Sequence, residues 1–150
     1  MAKMTRAQVR EHIFKLLFRV EFNSIDEMPE QIAKYMAYPP STGDEDSIDE
    51  VVEIPEADAL YITQKYEKIA AMLPKLDEMI DSAAKGWKAS RLGKVDLTIL
   101  RLALYEMKYD EDIPVGVAIN EAVELAKKFG QDESPSFING ILAKLAKQTD

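Results

Sequence analysis

Arg6, Arg10, Phe14 and Phe18 recur at four-residue spacing along the first amphipathic stretch of this chain, with Lys3 just ahead of them. On a helix such residues form one strip of cations and rings. Strips of this kind suit single-stranded RNA, because splayed bases stack on aromatic rings while guanidinium and ammonium groups meet phosphates. Phe14 and Phe18 lie about 120° from the centre of the apolar stripe of that helix at ~100° per residue. A second reading stays open, in which another helix covers both rings and the arginine stems run along apolar surface. Phe137 repeats the pattern near the chain's end, roughly 90° off the stripe of the last helix, with Lys144 on the neighbouring face. Asp96 is the third odd placement. It falls on the apolar flank of its helix in line with Leu100, Ala103 and Met107, where a carboxylate needs a partner or a helix terminus. Arg101, five residues later, is the other odd polar residue of that helix.

The types present argue against chemistry at an active site. His12 is the lone histidine and falls on the polar side of the first helix, where solvation is its ordinary state. No nucleophile elbow, phosphate loop or dinucleotide glycine pattern occurs, and no helix carries two histidines at i and i+4. Asp44, Asp46 and Asp49 lack the turn glycine and terminal glutamate of a calcium loop. No catalytic residue, metal ligand or cofactor is therefore expected. With no cysteine there is neither a disulfide framework nor a thiolate metal site, which fits a cytoplasmic home.

These residues are carried by helices throughout. The 150 residues, 47% hydrophobic, suit one all-α domain with a real core. Thr5 and Gln8 have capping-box spacing ahead of Val9, Ile13, Leu16, Leu17 and Val20, predicting a helix over about 6 to 22. Ser24 and Glu27 repeat that spacing before a second helix ending near Tyr38. Pro39 to Gly43 break it, helix resumes near Glu56 with Leu60 among its apolar positions, and Pro74 interrupts or kinks it. Another helix follows to about Lys85, and Gly86 to Gly93 forms a linker with Trp87 plugging the seam between halves. The last third is the clearest. Leu97, Leu100, Leu104 and Met107 form one apolar row and Val95, Ile99, Leu102 and Ala103 another, so that helix is apolar around most of its girth. Pro114 opens the next helix, Val115, Ile119, Ala122, Ala126 and Phe129 line it, and Gly130 closes it. Ser134 caps the final helix, with Pro135 at its start and Ile138, Ile141, Leu142 and Leu145 as its core row. About seven helices result, in two small bundles: an N-terminal half over about 4–85, holding an acidic loop at about 39–55, and a C-terminal half over about 87–147.

Charge is uneven. The formal net charge is −8, yet residues 44 to 58 hold eight acids and no Lys or Arg, while residues 1 to 19 hold five cations against Glu11 alone. A local basic patch on an acidic body still attracts phosphate within roughly 10 Å in salt, and the acidic remainder favours a basic protein partner. No apolar run reaches the ~18 residues of a membrane span, and the start lacks the apolar core of a signal peptide, so a soluble, unexported protein is expected.

The wording ILRLALYEM, IPVGVAINEAVELAKKFG and SPSFINGIL, over roughly residues 87 to 142, resembles the NusB family of bacterial transcription antitermination factors, as TRAQVREHIFKLLF does more weakly. The resemblance implies an all-helical RNA-binding adaptor, not an enzyme. Its implied partners are boxA-like RNA of ribosomal RNA transcripts, a small-subunit ribosomal protein acting as NusE, and the antitermination complex on RNA polymerase. Residues matching Phe18 and Phe137 would meet RNA, with Lys3, Arg6, Arg10, Phe14 and Lys144 around them, while Asp96, Arg101 and Glu133 would face the protein partner. Relatives often carry a denser arginine cluster, whereas Ala7, Gln8 and Val9 separate Arg6 from Arg10 here, implying modest RNA affinity for the chain alone. The alternative is a helical protein-interaction module without RNA binding, which the negative charge favours.

Deleting Asp44 to Asp49 removes repulsion of phosphate without removing any cation, so RNA affinity in a titration at fixed ionic strength is expected to hold or rise. A weaker-binding deletion would show that the acidic segment contributes to the interface.

Overall fold

The computed structural model describes residues 4–40, 53–84 and 92–148. Seven α-helices and two short 3₁₀ turns make up the described residues, and no strand is present among them. The chain divides into two compact units, residues 1–70 and 71–150. Trp87 and most of the acidic loop lie outside the described residues.

In the first unit, α1 spans Arg6–Phe18 and starts as its sequence dictates. The Gln8 amide donates to Thr5 Oγ1 at 3.1 Å and the Thr5 amide donates to Gln8 Oε1 at 2.9 Å, a reciprocal capping box. The Met4 amide donates to Asp58 Oδ2 at 3.3 Å, tying this entry to the later helix α3. The helix ends at Phe18 and tightens into a 3₁₀ turn over Arg19–Glu21, earlier than the apolar pattern implies. Ser24 and Glu27 do not cap the next α-helix as expected. A 3₁₀ turn takes Ile25–Glu27, and α2 runs over Met28–Ala37 with Pro29 in its first turn, where the missing amide costs nothing. Helix α3, Glu56–Ala71, buries Ile62, Lys65, Tyr66, Ile69 and Ala70 at helical spacing. Leu60, expected in the core, is 59% exposed.

Two expectations for α1 need correction. Phe14 is buried rather than off the core face, and His12 is buried rather than solvated, because α1 is covered on more sides than its apolar stripe spans. His12 Nδ1 lies 2.6 Å from Tyr35 Oη on α2, and the two rings meet edge to face at 5.6 Å. Burial first, and the nearby Lys15 charge second, lower the His12 pKa from 6.5 to about 4 despite the opposing Glu11 carboxylate. Burial raises the Tyr35 hydroxyl above its ordinary value. A neutral imidazole accepting from a protonated phenol satisfies both groups. The Arg19 guanidinium carbon sits 5.1 Å above the Tyr35 ring, and Arg19 donates to Gln31 Oε1 at 3.3 Å, so α2 is held at both ends of the same contact.

The second unit holds α4 (Leu73–Ala83), α5 (Lys94–Tyr109), α6 (Val115–Phe129) and α7 (Ser134–Lys147). Pro74 falls in the first turn of α4 and so separates it from α3. Every residue of α5 from Leu97 to Glu106 is buried, as its two apolar rows imply. On α6 the core row shifts to Ala118, Ala122, Leu125 and Ala126, leaving Val115 exposed; α7 packs through Ile138, Ile141, Leu142 and Leu145. Ser134 does not N-cap α7 as expected; Glu133 holds that position, while Ser134 Oγ accepts from the Gln131 amide at 3.0 Å and closes the α6–α7 turn. Gly130 permits that turn, since a Cβ there would stand 2.6 Å from Ser134 Cβ.

The buried His12 generates a pH dependence. Its folded pKa lies below the unfolded 6.5, so the unfolded chain binds the extra proton and stability falls as pH drops from about 6.5 toward about 4. Between pH 7 and pH 5 this group is expected to cost about 2 kcal/mol in urea unfolding. His12→Gln, which keeps a polar partner for Tyr35, should lose that part of the slope. An identical pH slope in the variant overturns the assignment.

Candidate RNA and partner interface

Burial sorts the expected RNA residues of the first unit. Arg6, at the first position of α1, is exposed, whereas Arg10 is 8% and Phe14 4% exposed, so neither offers a face to a ligand. Lys3 lies outside the described residues. Phe18 is half-buried at the last position of α1. Its ring lies 6.4 Å from Phe14 beneath it and 5.2 Å, edge-on, from Phe22. Phe22, beyond the strip that spacing marks out from Arg6 to Phe18, is 60% exposed. The three rings climb from core to surface along one side of α1 and its 3₁₀ extension, a stacking surface backed by packed aromatics. Four-residue spacing from Phe18 was the available signal for Phe22, hidden because the helix changes pitch at Arg19.

In the second unit, three expected residues from separate elements line one open groove of about 860 Å³. Asp96 comes from the first turn of α5, Glu133 from the residue before α7, and Phe137 from the first turn of α7. Phe129 and Gly130 at the end of α6 complete a wall, so the turn that Gly130 allows is what sets Phe137 opposite α5. Phe137 is half-buried, keeping part of its ring for a ligand, and Asp96 is half-buried while Glu133 is exposed. The two carboxylates repel phosphate and attract cations, Lys94 adds one cation to the same lining, and the rings offer apolar faces. The groove can therefore hold apolar and charged groups side by side. Lys144, half-buried two turns further along α7, does not line it.

Arg101 is elsewhere. It is 9% exposed, and its Nε and Nη2 donate at 2.7 Å each to the two oxygens of Asp77 on α4. This fork-to-fork pair braces α5 against α4. The buried guanidinium has no open face for a partner, so the expected partner contact there gives way to an internal brace. Among the described residues no group of three or more His, Cys, Asp or Glu could hold a metal ion, and no helix is long and apolar enough to cross a membrane.

Comparison with known proteins places this geometry. The model of the NusB family matches residues 7–147. A transcription antitermination protein NusB of Agathobacter rectalis is 47% identical over 143 residues, covering 95% of this chain and 100% of the relative. Its counterpart in Lachnoclostridium phytofermentans is 46% identical, covering 95% and 98%. Among solved structures, NusB of T. maritima superposes with a TM-score of 0.78 at 30% identity, over 98% of this chain and 94% of that one. A complex of the antitermination factors NusB and NusE with dsRNA contains a chain of the same fold, with a TM-score of 0.69 at 20% identity over 95% and 96%.

The burial gradient predicts different consequences for rings of one type. Phe14→Ala should cost about 3–5 kcal/mol of folding stability, as buried phenylalanines do. Phe18→Ala and Phe137→Ala should cost less stability and weaken RNA binding by about 1–3 kcal/mol. Chemical denaturation and RNA titration of the three variants decide it, and wild-type RNA affinity in Phe18→Ala or Phe137→Ala removes that ring from the interface.

Proposed function

The chain belongs to the NusB family, and from that premise we propose that it is a transcription antitermination factor that binds boxA-type single-stranded RNA jointly with the small-subunit ribosomal protein acting as NusE, in ribosomal RNA transcription by RNA polymerase. The observation that carries this reading is the match to antitermination proteins along their full length. Residues 1–150 act as one RNA-binding domain, working in the cytoplasm without catalysis of their own. Arg6, Phe18, Phe137 and Lys144 make the RNA contacts, Phe14 supports Phe18 from beneath, and Asp96 and Glu133 face the basic partner. Arg101 serves that face indirectly, by fixing α5.

Division of labour follows from charge. The exposed cations expected at the RNA are few, so counterion release is small and the chain alone binds weakly. A basic partner drawn to Asp96 and Glu133 extends the positive surface, and linkage requires that RNA tighten the protein pair by the same factor.

Titrating boxA-type RNA at fixed ionic strength should give tighter binding with the ribosomal partner than without it. Arg6→Ala should reduce the salt slope by about one phosphate contact. Equal affinities with and without partner remove joint recognition, and absence of RNA binding in both leaves the protein-interaction module that the charge of −8 favours.

A further inference from the structure

Gly140 occupies the middle of α7, where glycine destabilises a helix relative to alanine. Nothing among the described residues requires it. The residue is exposed, and a Cβ built there meets no atom within 4 Å, in contrast to Gly130, where Ser134 and the Ala126 carbonyl crowd the same position. The bare backbone is thus unexplained by packing. Its neighbours on the helix face are Phe137, three residues before, and Lys144, four residues after, with Lys147 at the helix end. A second observation concerns charge: α7 alone among the seven α-helices described contains no Asp or Glu, on a chain of net charge −8, the nearest acid being Glu133 just before it.

We propose that Gly140 is the point at which the sugar–phosphate strand of the bound RNA lies directly on the α7 backbone. The inference deepens the function proposed above and rests on it. Without a Cβ the strand comes closer to the helix axis, within reach of ribose and phosphate for weak Cα–H···O contacts. That approach brings a base over the Phe137 ring on one side and a phosphate to the Lys144 ammonium on the other. A basic protein is disfavoured beside Lys144 and Lys147, since the one carboxylate on this face, Glu133, stands two turns before Gly140 at the entry of the helix. Gly140 is a positioning residue: it makes room, while the ring and the ammonium supply the attraction.

The test separates stability from binding. Gly140→Ala should raise the melting temperature by about 2–4 °C, because the helix gains and nothing clashes. The same variant should bind a boxA-type RNA oligonucleotide roughly fivefold or more weakly, with Gly140→Leu weaker again, since each added carbon displaces the strand. Gly116→Ala, at another exposed helical glycine with open space around its Cβ position, should leave RNA affinity unchanged. Wild-type affinity in Gly140→Ala, beside a weakened Phe137→Ala, overturns the role of Gly140 and spares the RNA-binding reading. A lowered melting temperature in Gly140→Ala overturns it too, by revealing a packing role. Failure of the wild-type chain, with or without its ribosomal partner, to prefer boxA-type RNA over a scrambled oligonucleotide overturns both.

Discussion

A helix buried on every side must satisfy its polar groups internally, and each unit contains one that comes close to this condition. In α5 the buried run from Leu97 to Glu106 includes Thr98, Arg101 and Glu106. Thr98 returns its hydroxyl to the Lys94 carbonyl at 2.7 Å, and Arg101 takes both oxygens of Asp77. In α1 the buried run from Arg10 to Phe14 includes His12, which leans on Tyr35. Stripping one partner from such a pair strands a polar group in a low dielectric, so these contacts fix where the helices lie more firmly than apolar burial alone, which tolerates sliding. Surface chemistry is thereby displaced to the ends of the two helices and to α7. Arg6 and Phe18 sit at the two ends of α1, and Asp96 sits in the first turn of α5.

How much of this was legible depended on how many sides each helix covers. The rows of α5 and α7, the Thr5–Gln8 box and the end of α6 at Gly130 all read directly, because their causes lie within a few residues of one another, whereas the crowding by Ser134 that makes a glycine necessary there did not. The placement of Phe14 and His12 did not. Helical periodicity assigns one face to the core, and a helix covered more broadly turns nominally polar positions inward. The opposite error at Leu60 has the same root, since an apolar residue within a helical pattern carries no guarantee of a cover. The partner of Arg101 was equally hidden: Asp77 is 24 residues away on another helix, and no local spacing announces it. For the candidate site, Asp96 and Phe137 were singled out by misplacement on a helical wheel and Glu133 through resemblance. Only the fold shows that they share a groove, because its walls come from α5, the end of α6 and the start of α7.

The negative net charge and an RNA-binding role are compatible once the signs are separated in space. The acids of the groove, Asp96 and Glu133, cluster at the start of α5 and of α7, while α7 itself carries only lysines. Charges further apart than roughly 8–10 Å are largely screened at physiological salt, so the potential that a strand feels near Lys144 is set by its immediate neighbours rather than by the total. Phe137 belongs to both regions, lining the groove with Asp96, Glu133 and Lys94 and preceding Lys144 by two turns. A neutral ring suits that boundary. It can stack a base without penalty from the carboxylates, and it presents apolar surface to a protein segment without conflict with the lysines.

Phe14 is buried beneath Phe18, so its loss would act on the proposed interface only indirectly. A domain of this kind is stable by about 5–15 kcal/mol. Losing the 3–5 kcal/mol that a buried phenylalanine contributes leaves at least about half of the molecules folded, so unfolding alone lowers apparent RNA affinity by no more than about twofold. Any larger loss must pass through the geometry of what Phe14 holds. Its ring lies 6.4 Å from Phe18, which in turn meets Phe22 at 5.2 Å, so a cavity at Phe14 allows Phe18 to sink and the exposed end of the ladder to lose its backing. The aromatic strip of α1 therefore acts as a unit, with its buried member setting the height of the ring that a base would meet.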